Sequence, residues 1–177
     1  MALVIPYILM EGVYAGIIGT ISAATMGTYS VAKSICKHQN PDINKVINEL
    51  DLIRRLKLIE SVLNIKEMNR RPELAPMKLN ELEKTTIFEI VKAENDICDD
   101  PIELCLHYLY EIIHEMHNNL LAISKKVAYH KTKWFYTWRT LNIKDQLNTL
   151  KISSDKLEAR FNDLIKISKF LAEQRGQ

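Results

Sequence analysis

Glycine is scarce in this chain. Of five glycines in 177 residues, four (Gly12, Gly16, Gly19, Gly27) fall in the first 27 positions, leaving only Gly176 for everything after them. Tight hairpins and dinucleotide-binding turns both draw on glycine, which argues against a β-sandwich or a Rossmann fold. Proline also numbers five, and the three cysteines (Cys36, Cys98, Cys105) form an odd set with no C-x-x-C pair. That favours reduced thiols over a disulfide framework. Charge is missing from one end: every Lys and Arg lies at or after Lys33, and Glu11 is the single charged side chain of the first 32 residues. A charged fraction of 26% and a hydrophobic fraction of 47% are otherwise ordinary for a folded chain and exclude wholesale disorder. The length suits one domain. The formal charge of +2 gives no general affinity for nucleic acid.

The uncharged head, residues 1–36, has the length of a membrane anchor. Gly12 to Ala32 is 21 residues without a charge, and Ala2–Met10 ahead of it is more apolar still. Thr20, Ser22, Thr25, Thr28 and Ser30 dilute that hydrophobicity. No basic n-region precedes it, so the segment reads as an uncleaved anchor and not as a secretory signal. Small residues at Gly12, Gly16, Gly19, Ala23 and Gly27 offer a seam along which helices can approach closely, including self-association of the apolar helix. Lys33 and Lys37 follow the segment, which places the body on the cytoplasmic side by charge bias. The other reading is a glycine-softened helix buried in the protein's own bundle or in a partner. On the anchor reading, removal of residues 1–36 leaves a folded body.

The body, residues 41–173, reads as a four-helix bundle with helices over about 42–68, 79–95, 101–128 and 143–173. Asn40-Pro41 and Asp100-Pro101-Ile102-Glu103 are helix starts, each an N-cap side chain followed by proline in the first turn. The third helix carries the sharpest pattern: Ile102, Leu106, Leu109, Ile113, Met116, Leu120, Ile123 and Val127 alternate in steps of four and three, which is a heptad seam. After an expected cap at Asn142, the fourth repeats it through Ile143, Leu147, Leu150, Ser154, Leu157, Phe161, Leu164, Ser168 and Leu171, with two serines interrupting. The pair predicts an antiparallel hairpin on which the earlier helices pack. The expected fold class is thus all-α: an N-terminal apolar, transmembrane helix followed by a four-helix bundle.

Catalytic chemistry finds little to build on. His107, Glu111, His114, Glu115 and His117 share one helix, but H-E-x-H at 114–117 lacks the spacing that sets two imidazoles on one face. One E-x-x-H at 111–114 has no second copy to complete a di-iron bundle. These side chains read as a solvated flank opposite the seam. No phosphate loop and no nucleophile elbow is present, so no catalytic, cofactor or metal residue is assigned and the chain is expected not to be an enzyme. One stretch stands out as a surface. Met116 to Lys144 contains no acid, while Lys125, Lys126, Lys131, Lys133 and Arg139 are interleaved with Tyr129, Trp134, Phe135, Tyr136 and Trp138. Such a stretch can face an anionic surface or a partner, or its aromatics can plug the end of the bundle; nucleic acid is the least favoured partner.

Lys133-Trp134-Phe135-Tyr136-Thr137-Trp138-Arg139, then Asn142, then Leu157 through Arg160-Phe161 and Leu164-Ile165, resembles a pattern in small helical proteins of large nucleocytoplasmic DNA viruses. The resemblance covers about residues 101–170. It implies a virion component lying between the inner membrane and the capsid. An apolar glycine-bearing helix ahead of a bundle is also similar to the HeLo and necroptosis-effector bundles, which implies membrane permeabilisation. The expected function is a structural or assembly protein that tethers a lipid membrane to scaffold or capsid proteins. A permeabilising effector, and an interaction bundle whose N-terminal helix is buried in a partner, stay open beside it. No cofactor is expected.

Overall fold

The eight residues of the Ile102–Val127 seam are all buried, none exposing more than 3% of its surface. The computed structural model describes residues 14–37, 41–63, 100–134 and 141–175. Within them lie five helices and no strand: α1 (Ala15–Lys37), α2 (Pro41–Glu49), α3 (Leu52–Leu63), α4 (Pro101–Lys131) and α5 (Lys144–Arg175). The expected helix at 79–95 lies outside the described residues. Helix α4 starts as its sequence predicts, with Asp100 in extended conformation accepting the Ile102 amide proton and Pro101 in the first turn. At the start of α5 the first helical bond runs from the Leu147 amide to the Ile143 carbonyl, so Ile143 and not Asn142 takes the cap position.

Helices α4 and α5 form the antiparallel hairpin. Their cross-links step in opposite directions: Asn119 to the Gln146 carbonyl at 2.8 Å, Ser153 to Glu115 at 3.1 Å, and Arg160 over the Tyr108 ring at 4.9 Å. On α5 the seam residues from Ile143 to Ser168 are buried apart from half-buried Leu147. The serines that interrupt it have different surroundings. Ser154 receives Arg55 of α3 on its hydroxyl (3.2 Å) and its carbonyl (3.3 Å), and the same guanidinium reaches Glu158 at 3.0 Å. One arginine thus fastens α3 to α5 at the seam's polar position. The buried Ser168 hydroxyl has no hydrogen-bond partner among the described residues.

The head corrects the expectation of a spanning anchor. No described helix is long and apolar enough to cross a membrane. Instead α1 packs on α4 and α3 as a member of the bundle. Its buried residues Tyr14, Ile18, Ile21, Thr25, Thr28, Ala32 and Ile35 repeat the four–three alternation, a third seam hidden by its threonines. Those hydroxyls are satisfied locally: Thr25 donates to the Ile21 carbonyl and Thr28 to that of Ala24, both at 2.7 Å, so burying them costs little. Tyr14 donates to the Asp100 carboxylate, and Thr28 lies 3.4 Å from His117, so α1 and α4 run parallel. The small residues lie off this seam. Gly16 is exposed, with nothing within 4 Å of where a Cβ would sit, while Gly19, Ala23 and Gly27 are half-buried; Gly12 is outside the described residues.

The single helix expected over 42–68 is two, α2 and α3, broken at Leu50-Asp51. Asp51 holds φ at 47°, and its carbonyl accepts the Arg55 amide as α3 begins. Aspartate is among the few residues that enter the left-handed region at tolerable cost, which is how the chain turns here without a glycine or proline. The break lets Ile43 and Ile47 of α2 and Leu52, Leu56, Ile59 and Leu63 of α3 all face the core.

These contacts make three predictions. Removing residues 1–36 strips a seam that covers α4, so the truncated chain should lose cooperative thermal unfolding by circular dichroism; a sharp transition near that of the full chain would refute the integrated bundle. Asp51→Val should cost about 1–2 kcal/mol by denaturant unfolding, while Asp51→Gly should be neutral or stabilising. Ser154→Ala should cost about 1 kcal/mol, since Arg55 loses an acceptor, whereas Ser168→Ala should be neutral or stabilising because it removes an unsatisfied buried hydroxyl.

Candidate functional site at the cationic end of the bundle

The parallel run of α1 and α4 decides which cations share an end. Since Tyr14 is level with Asp100 and Thr28 with His117, Lys33 and Lys37 stand beside the C-terminal part of α4. The start of α5 is at the same end, because Asn119 meets Gln146. Three helices therefore bring Lys33, Lys37, Lys125, Lys126, Lys131 and Lys144 together, all exposed, with half-buried Lys133 just beyond α4. None of the seven is ion-paired among the described residues; the ion pairs there are Lys45–Glu49, Arg54–Asp51, Arg55–Glu158 and Arg160–Asp163. Among the described residues, Asp42 and Asp145 lie in the first turns of α2 and α5, and Glu49 of α2 is bound to Lys45 at 3.8 Å.

Aromatic rings sit among these ammonium groups. Tyr129 is 65% exposed and carries the Lys133 ammonium 4.4 Å above its ring centre. Tyr29 is flanked by Lys33 at 5.7 Å and, from α3, by Lys57 at 5.5 Å. Trp134 is 84% exposed, so the expectation that it plugs the end of the bundle fails: the α4 helix ends at Lys131, before the seam register could carry residue 134 into the core. The Thr132 hydroxyl and amide both turn back onto the Tyr129 carbonyl and close that helix. Phe135, Tyr136, Trp138 and Arg139 lie outside the described residues. Lys125, Lys126, Lys131 and Lys133 were visible as a basic run. Lys33 and Lys37 read in sequence only as the flank of the head, and their place beside that run follows from the α1–α4 register.

The histidines of α4 do not converge. Among the described residues no group of three or more His, Cys, Asp or Glu side chains could hold a metal ion. His114 stacks at 5.9 Å on Tyr110 and lies 3.2 Å from the Asn118 amide. His117 is not part of a solvated flank as expected: it is 7% exposed and faces Thr28. The Thr28 hydroxyl, which donates to the Ala24 carbonyl, lies 3.4 Å from the Nδ1 of His117. Burial pushes the Cys36 thiol up. Burial and then the Asp163 carboxylate push Cys105 up, against a smaller pull from Arg160. Both thiols stay protonated at neutral pH, which makes them poor nucleophiles.

No family model and no solved structure matches the chain. Over 165 residues it is 42% identical to "Uncharacterized protein L717" of Acanthamoeba polyphaga mimivirus, covering 93% of this chain and 80% of that protein. Mimivirus is a large nucleocytoplasmic DNA virus, the group whose small helical proteins the 133–165 pattern resembles. The match spans nearly the whole bundle and not one motif. The chain therefore belongs to the same protein family as this mimivirus protein.

Proposed function

We propose that the chain is a non-enzymatic assembly protein, a helical spacer whose cationic end grips an anionic surface while its flanks are left for scaffold proteins. The observation that carries this reading is the gathering of seven lysines, none ion-paired among the described residues, from α1, α4, the residues just beyond α4, and α5, beside exposed Tyr129 and Trp134. Lysines so placed repel one another at low salt, and an anionic partner relieves that repulsion. Among the described residues the α4 histidines do not converge and burial raises both thiols, so the reading rests on packing and charge. The viral relative supports a viral setting, and the proposal places the role in particle assembly, between a membrane and a capsid or other scaffold.

The anchor is left out of the proposal in its original form, because residues 14–37 are committed to the core. A permeabilising effector would have to withdraw α1 from the bundle. That exposes Ile18, Ile21, Ala32 and Ile35 together with the α4 surface they cover, and each isoleucine alone is worth about 1.5–3 kcal/mol.

Heparin chromatography tests the grip on anions. The full chain should be retained beyond what a formal charge of +2 predicts, and combined Lys125→Glu, Lys126→Glu and Lys131→Glu should elute it at clearly lower salt with unchanged thermal unfolding. Equal elution of the two proteins would overturn the reading.

A further inference from the structure

The anionic surface can be named from how the cations and rings are arranged. An extended nucleic-acid strand is held by a groove that tracks its backbone and by aromatic faces free to stack on bases. Among the described residues the lysines stand on separate helices, and Tyr129 and Tyr29, two of the rings beside them, carry ammonium groups on a face. The lysines are spread around one end of the bundle on three helices, Lys33 and Lys37 on α1, Lys125, Lys126 and Lys131 on α4, and Lys144 on α5, with Lys133 beyond them. They stand at different heights along this half of the bundle, with Lys131, Lys133 and Trp134 furthest toward its end. The face of Tyr129 is taken by the Lys133 ammonium at 4.4 Å, and Tyr29 is flanked by Lys33 and Lys57. A base could stack on Tyr129 only on the side away from Lys133, whereas its hydroxyl edge remains open to a polar interface.

We infer that the cationic end docks, as a peripheral contact, onto a lipid bilayer carrying anionic headgroups, with Trp134 entering the headgroup layer and the lysines answering the lipid charge. The inference rests on the proposed grip on an anionic surface and names that surface. Indole and phenol rings have an apolar body and a polar handle, which suits the boundary between headgroup and chain. Each lysine close to an anionic leaflet strengthens binding about fivefold, and the effect fades with salt. No spanning segment is needed, in keeping with residues 14–37 packing on the core.

The test uses the full chain and vesicles of phosphatidylcholine with and without phosphatidylserine. Sedimentation with the anionic vesicles alone is expected, with binding weakened more than about twentyfold by Lys125→Glu with Lys126→Glu and about tenfold by Trp134→Ala. In a Trp138→Phe background, fluorescence of Trp134 should be quenched by lipids brominated near the headgroup. Two outcomes overturn the inference while leaving the grip on anions standing: retention of a single-stranded oligonucleotide in place of vesicles, with the same lysine dependence, or vesicle binding that ignores Trp134 and brominated lipid. Binding to neither vesicles, oligonucleotide nor heparin overturns the inference and the proposed function together.

Discussion

Everything in this bundle leans on the apolar seam of α4. Eight residues from Ile102 to Val127 are buried along a 31-residue helix, and that one stripe is shared by α1 on one side and α5 on the other. A helix covered from both flanks cannot lose either neighbour without exposing part of its stripe to water, where burial of each large residue is worth about 1.5–3 kcal/mol. The short α3 is held differently. It packs chiefly on α1 and reaches α5 through Arg55, whose guanidinium lies on Ser154 and Glu158. The polar break in the α5 seam is therefore where the fourth helix is tied in.

That dependence explains which parts of the fold were legible. The α4 and α5 seams could be read directly because nearly every inward position is Leu, Ile, Val, Met or Phe, so period and composition agree. The α1 seam has the same period, but Thr25, Thr28 and Ala32 occupy three of its seven inward positions. By composition it reads as a diluted membrane segment, and the glycine row catches the eye first. What composition does not reveal is that a threonine can close its hydroxyl on its own helix and enter a core nearly as cheaply as a valine. The turn at Asp51 was hidden for a similar reason: no glycine or proline marks it, and the apolar spacing on both sides continues as if one helix ran through.

The site was legible in half. Lys125 to Trp134 is contiguous and free of acids, so its character stands in the sequence. Lys33 and Lys37 are some ninety positions away and join it only through the parallel register that Tyr14–Asp100 and Thr28–His117 establish. Long-range register of this kind is set by individual polar contacts, and periodicity carries no information about them. His117 shows the reverse error. Its place among polar neighbours suggested solvent, yet the turn of α4 that carries Ile113, Met116 and Leu120 presents it to α1.

Any role at a membrane has to be reconciled with the economy of the core. An apolar helix can cover a neighbouring seam or enter lipid, but it cannot do both at once, and α1 is spent on the first. Its glycines lie off the seam, and at Gly16 nothing lies within 4 Å of where a Cβ would sit, so that glycine is not needed for packing within the bundle. A surface that the core does not require is free to change partners without an unfolding cost. The cationic end is such a surface: six of its seven lysines are exposed and the seventh is half-buried, and Trp134 stands beyond the end of α4. On the proposed docking, the contact is made through groups outside the core, so the bundle stays intact and salt and headgroup charge set how firmly it holds.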